Sequence, residues 1–330
     1  YGLCDVYYDA FYIKGLKEFY NVNKVIFNCD KFPKFHQGTF AAIIQQDNNE
    51  FKICIDSRDQ SDLWLEPLDW CTVYGKVNYN KNSLPEKNQN KVMAIGPSFG
   101  IKIWNSPKTI ALSVLNFLRF RKQISNNKVF IFNYLSQSKR VYLEEYYKAP
   151  IRNKSNKKYV FTACTLWKKE NNTNKFRANF IKSCLSNNEI EFEGGFVPRS
   201  DGNNLGYDNL LTAKIFNTKE YLSKTINSQL VFNTPAVLNC HGWKLGEFLA
   251  MGKAIISTSF CNEMPVNVID GKDIVFLEHG TENEMDVKIR ALFKSESKLL
   301  DLQNNAKNYF QNYLHPKKVI ERLYKSVLND

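Results

Sequence analysis

Within residues 239–257, NCHGWKLGEFLAMGKAIIS, the residue types and their spacing suit the binding of a nucleotide sugar. Glu247 is an acceptor-only carboxylate that can take hydrogen bonds from two adjacent ribose hydroxyls, as an acidic residue does in dinucleotide folds. Gly242 permits a tight turn and close backbone approach. The N–H groups that open the following helix lack intrahelical partners and suit a diphosphate. Lys244, in the same turn, can reach those phosphates without a metal and stabilise charge on a departing diphosphate. His241 can bond the same leaving group. Each has a plainer alternative: a solvated helix Glu, a surface Lys, a turn-packing His.

The elements that must position these groups are legible around them. Leu245, Phe248, Leu249 and Met251 fall at helical spacing, Gly252 supplies a stop, and AIIST is the β-branched run of a buried parallel strand. The segment GEFLAMGKAIIST resembles the C-terminal-domain signature of GT-B glycosyltransferases, written E-A-M-A-x-G-x-P-V-I-x-S/T. The resemblance covers roughly residues 159–290. It implies an α/β fold of two Rossmann-like domains facing a central cleft, with Glu247 on the donor ribose and Gly242 against the phosphates. His241, Trp243 and Asn239 are further donor-side candidates. Many retaining members carry a second Glu at the position of Asn239, so retention does not follow, and group-one and exostosin-like branches both fit. The implied activity moves a sugar from a nucleotide-sugar donor to a saccharide or lipid-linked glycan, metal-independently and with no cofactor beyond the donor. A sugar-nucleotide epimerase of the same shape, or a basic module binding nucleic acid or anionic lipid, are the alternatives.

In the wider chain we expect an acceptor-binding domain over residues 1–150, a nucleotide-sugar domain over 151–315, and a last helix, 316–330, packing back on the first domain. Pro150 and IRNKSNKK mark the linker. In the first domain the patterns predict a helix over 7–19, strands over 24–28, 39–44, 51–55, 68–77 and 92–95, and a helix opened by Pro107. In the second they predict a strand over 157–166, the loop WKKENNTNK, the helix FRANFIKSCL and the strand and glycine turn EIEFEGGF. A helix over 210–221, strands at QLVFN and 274–277, and helices over 283–293 and 297–313 follow. In GT-B proteins basic side chains of the first such loop commonly face the diphosphate, which makes Lys168, Lys169 and Arg177 candidates. A base for an inverting reaction would come from the first domain, where Asp9, Asp56, Asp59 and Asp69 are available and the sequence does not choose among them.

Composition narrows the classes. A chain of 330 residues with 43% hydrophobic and 24% charged residues is long enough for two folded domains. No apolar run approaches a membrane span and no signal-peptide pattern opens the chain, so a cytoplasmic or membrane-peripheral protein is expected. The opening Tyr1 leads us to expect that a segment precedes it. The 8 cysteines show no C-x-x-C pair and the 4 histidines are dispersed, so no metal site is expected. A net charge of +12, from 45 Lys+Arg against 33 Asp+Glu, favours an anionic partner such as a phosphorylated substrate or an anionic membrane surface. Without an RNP, zinc-finger, KH or basic-zipper signature, nucleic acid is the lesser reading.

Overall fold

The computed structural model describes residues 1–36, 38–46, 49–150 and 157–328. Two compact units are formed, one from Tyr1–Leu143, Asn262–Asn267 and Gln311–Asp330, the other from Glu144–Cys261 and Val268–Phe310. The division falls ahead of the expected boundary at 150, because the turn Leu143–Tyr147 sends Tyr146 into the second unit, where its hydroxyl donates to Glu247 Oε1 at 3.2 Å. Residues 151–156 of the expected linker lie outside the described residues. The α/β class expected from the sequence is present in both units.

Helix α1 (Val6–Phe19) opens the first unit and buries Phe11, Tyr12 and Leu16. Its start is fixed twice: Asp5 caps the Tyr7 N–H at 3.2 Å, and the Asp9 carboxylate takes the Asp5 N–H at 3.0 Å. Residues 24–28, expected as a strand, join no ladder. Asn28 N–H donates instead to the Tyr1 carbonyl at 3.0 Å, and the Tyr1 ammonium to the Ile26 carbonyl at 2.7 Å. The strands expected over 39–44 and 51–55 are β1 (Thr39–Gln46) and β2 (Asn49–Asp56), which pair antiparallel with Thr39 opposite Asp56.

The strand expected over 68–77 is shorter. Pro67 lies in the first turn of helix α2 (Leu65–Trp70), where its missing N–H costs nothing, and strand β3 begins only at Val73 (Val73–Lys76). Strand β4 (Val92–Ala94) completes a sheet of order β1-β2-β3-β4, parallel from β2 onward. Helix α3 (Ser106–Phe120) carries Pro107 in its first turn as expected, with Asn105 as its cap. Helix α4 (Asn127–Ser138) was not expected, because its run of consecutive apolar residues, VFIF, hides the helical period.

The second unit alternates strand and helix: β5 (Lys158–Thr165), α5 (Asn171–Leu185), β6 (Ile190–Val197), α6 (Thr218–Asn227), β7 (Leu230–Asn233), α7 (Trp243–Ala250), β8 (Ala254–Ser257), β9 (Val275–Phe276), α8 (Glu282–Lys294) and α9 (Glu296–Tyr309). All its strand pairs are parallel, β5 with β6, and β7 with β8 with β9. Between β5 and β7 the ladder gives way to a side chain: Ser228 Oγ accepts from Phe161 N–H at 2.9 Å and donates to the Leu230 carbonyl at 2.6 Å. The core gathers Val160, Phe180, Leu230, Ile256, Met285 and Leu302, with Phe180 stacked on Phe232 at 4.8 Å.

Two expectations here are corrected. The helix expected over 210–221 begins at Thr218, because Asn217 and Glu220 form a reciprocal capping box that fixes its start. Gly194 and Gly195, expected in a turn, lie inside β6 with φ of 114° and 134°, where a Cβ on Gly194 would collide with the Thr162 carbonyl across the ladder. The last helix, α10 (Pro316–Leu328), belongs to the first unit and packs along α1. Gly15 makes that approach possible, since a Cβ there would meet the Pro316 carbonyl and come within 2.9 Å of Ile320 Cγ1.

Candidate functional site

In a parallel sheet the C-terminal strand ends, next to the helix N-termini, form the ligand crevice. In the second unit those ends enclose a cavity of about 180 Å3, bounded by Thr162, Ala163, Arg177, Tyr221, Trp243 and Lys244 among others. It lies beside the break between β5 and β7. Gly242 is the N-cap of α7 and offers no side chain to the helix's opening N–H groups.

Two cations line this cavity. Arg177, on α5, spans the two strand ends, donating from Nη1 to the Thr165 carbonyl at 2.9 Å and from Nε to Thr234 Oγ1 at 3.1 Å. Lys244 donates to the Ala163 carbonyl, its ammonium 5.5 Å from the centre of the Tyr221 ring. Loss of hydration lowers the pKa of both; nearby Arg177 lowers that of Lys244 further, while Cys164 and Glu247 act the other way. Among the described residues neither cation stands within 4.0 Å of a carboxylate, as the other ion pairs do. The arrangement favours an anion, which would give each cation the close ion pair it does not make among the described residues.

Glu247 is buried on α7, where Tyr146 holds one carboxylate oxygen. Trp243 and Gly242 border the cavity with Lys244. Gly242 itself is extended, φ −74°, and a Cβ there would touch only Ala236 at 3.5 Å, so the tight turn is not its doing. The left-handed residues are Leu238, φ 56°, and Asn239, φ 59°. Asn is favoured in that conformation, because its short polar side chain bonds locally. His241 is buried edge-on to Phe260 at 5.2 Å.

The other basic candidates go elsewhere. Lys168 is exposed and pairs with Asp201 at 2.7 Å, which Arg199 also holds at 2.8 Å. Lys169 and Asn239 border a second cavity of about 540 Å3, with the first turn of α5, Thr258 and His279. Glu170, at the start of α5, accepts from Leu238 N–H at 3.2 Å and so ties that turn to the helix.

Two of the carboxylates expected as bases have structural occupations in the first unit. Asp56 is fully buried; its oxygens take Arg58 Nη2 at 2.7 Å, Arg58 Nε at 3.0 Å, the Tyr74 hydroxyl at 2.7 Å and Lys76 Nζ at 3.0 Å. Taking a proton from a substrate would require dismantling that network. Asp9 is 1% exposed in its capping role, and burial, then the Asp5 charge, raises its pKa well above the carboxylate range. Asp59 stays exposed in the loop after β2, and Asp69, near the end of α2, accepts from Asn88 at 2.7 Å. Among the described residues no group of three or more His, Cys, Asp and Glu side chains could hold a metal ion. The sequence pattern missed Tyr146 and Tyr221, whose closeness to α7 is a tertiary fact without a local signal.

No protein-family model and no curated protein matches this sequence. Among solved structures it is similar to a glycosyltransferase from Rickettsia africae, at 13% identity and a TM-score of 0.47 over 82% of this chain and 69% of that one. It is similar to an Anabaena protein solved in complex with UDP-glucose, at 11% identity and a TM-score of 0.41 over 84% and 98% of the two chains. It is similar, too, to the C-terminal domain of a glycosyl transferase group 1 family protein from Francisella tularensis, at 15% identity and a TM-score of 0.36 over 51% of this chain and 96% of that one.

Proposed function

We propose that this chain is a GT-B glycosyltransferase that moves a sugar from a nucleotide-sugar donor to a saccharide or lipid-linked glycan. The observation that carries the reading is the pair Arg177 and Lys244, two desolvated cations that form no close ion pair with a carboxylate among the described residues, beside an α7 N-terminus that has no side-chain cap. A diphosphate supplies that pairing, and the same cations stabilise it as it departs, so protein groups do the work that a metal does elsewhere. Glu247 accepts from the ribose hydroxyls, with Tyr146 fixing its rotamer. Gly242 and Trp243 border the donor, and His241 packs the turn that carries them.

Residues 1–150 supply the acceptor side in this reading. Of the four aspartates weighed as a base, Asp59 and Asp69 are the exposed ones, and Asp69 already accepts from Asn88, which leaves Asp59 as the base in this reading.

A thermal-shift panel of nucleotide diphosphates and nucleotide sugars tests the donor site. Ligand at 100 times its dissociation constant stabilises by about 2.7 kcal/mol. We expect the diphosphate forms to raise the melting temperature and Arg177→Met to abolish the rise. No shift with any member of the panel would refute the donor site. Donor conversion that needs no acceptor would favour epimerisation over transfer.

A further inference from the structure

Helix α3 is inside out. The residues it buries are Thr109, Ser113 and Phe120, while Ile110, Val114, Leu115 and Leu118 stand exposed along one stripe, Leu115 and Leu118 each at 63%. Beside it α4 buries Phe130, Tyr134 and Gln137 and exposes Val129, Ile131, Leu135 and Phe132, the last at 65%. The two helices are fastened to each other, Phe117 against Phe130 at 6.5 Å and Asn116 donating to the Tyr134 hydroxyl at 2.9 Å. Eight exposed apolar side chains on two helices fastened together are more than scattered single side chains account for.

The charge carried by the two helices themselves is of one sign, and Asp30 comes to them from outside, accepting from Gln123 just past α3 at 2.7 Å. From Lys87 to Leu143 the sequence contains no Asp or Glu. Over the same stretch Lys108, Arg119, Arg121, Lys122, Lys128 and Lys139 lie on or at the ends of the two helices, and all six are exposed. A protein partner would need an apolar patch ringed by carboxylates to match. An anionic bilayer offers both features everywhere: acyl chains for the leucines and phenylalanine, headgroup phosphates for the cations. Neither helix is long and apolar enough to cross a membrane, so the fit is to lying in the interface.

We infer that the exposed face of α3 and α4 is a docking surface for an anionic lipid bilayer. This rests on the first unit alone and stands whether or not the donor site is what we propose.

The test is sedimentation with vesicles of phosphatidylcholine, with and without phosphatidylglycerol, over a salt series. The protein should pellet with the anionic vesicles and be released by salt. The Leu115→Ser/Leu118→Ser/Phe132→Ser variant should bind at least tenfold more weakly. Arg119→Gln/Arg121→Gln/Lys122→Gln should lose about fivefold per cation removed, the scale of one basic side chain at an anionic surface. Because all six side chains are exposed, each variant should keep the parent's circular dichroism and melting temperature. Equal binding to neutral vesicles, no binding to either, or parent-like binding by either variant would overturn the inference. So would a dimer of the parent that the serine variant dissolves, which would assign the face to a second copy of the chain.

Discussion

Lys253 sets up a pH dependence of stability that can be worked out in advance. It sits at the entry to β8, 4% exposed, with its ammonium donating to the Ile226 carbonyl at 2.8 Å in the last turn of α6. Burial lowers its pKa from 10.5 to about 7. At about 1.36 kcal/mol per unit, holding that charge inside the folded protein costs about 5 kcal/mol net of its bond to the helix C-terminus. Below pH 7 both folded and unfolded chains carry the proton, so the cost is complete and flat. Between about pH 7 and 10.5 the unfolded chain keeps the proton and the folded one sheds it, and stability therefore rises with pH. Lys253→Met removes the titrating group and serves as the reference. Urea midpoints at about pH 6, 7 and 9 should show the parent gaining about 2 kcal/mol on the variant from pH 7 to 9, and much less from 6 to 7. The lost bond to Ile226 shifts the whole difference by a constant and leaves its slope intact. A difference that is flat, or that falls as pH rises, would refute the reasoning.

Three further outcomes are expected. Glu247→Ala should weaken nucleotide-sugar binding by about 1.5–3 kcal/mol by calorimetry, the scale of charge-assisted hydrogen bonds, while Lys244→Ala should lower turnover more than binding; parent-like affinity in a folded Glu247→Ala would remove the ribose role. Asp56→Ala strands Lys76, itself fully buried, and should cost about 3–5 kcal/mol in urea unfolding, where a loss under about 1 kcal/mol would show that the network contributes little. Gly15→Ala should destabilise by about 1–2 kcal/mol despite the better helix propensity of alanine, because the clash is with the Pro316 backbone; a stabilised variant would show that α10 yields easily.

What could be read from the sequence follows from how local its cause is. The strands within 39–56, the start of α3 near Pro107 and the α7–β8 segment depend on periodicity, turn residues and proline, which neighbours in sequence supply. The start of α6 was legible in principle, since Asn217 and Glu220 stand at capping-box spacing, but the apolar residues before them extended the pattern too far. Strand 24–28 looked right by composition and failed because its hydrogen bonds go to the chain's first residue. In the site, residue type pointed to Glu247, Lys244 and Arg177. Whether an aspartate is a base or a bolt depends on distant partners, and Asp56 meets Tyr74 and Lys76 only once the parallel sheet has formed.

The packing of α10 on α1 joins the two ends of the sequence inside one unit, and this bears on the order of folding during synthesis. Chains emerge from the ribosome N-terminus first, and domains generally fold as they are completed. Of the two units, the first begins before the second and is finished after it: Gly15 waits for Pro316, and the face of α1 that meets α10 stays uncovered while every residue of the second unit is being made. The second unit, whose segments end at Phe310, is complete before its predecessor. A chain shortened from Gln311 onward should therefore retain a folded second unit and expose the flank of α1, so that premature termination or C-terminal proteolysis would be felt at the opposite end of the sequence.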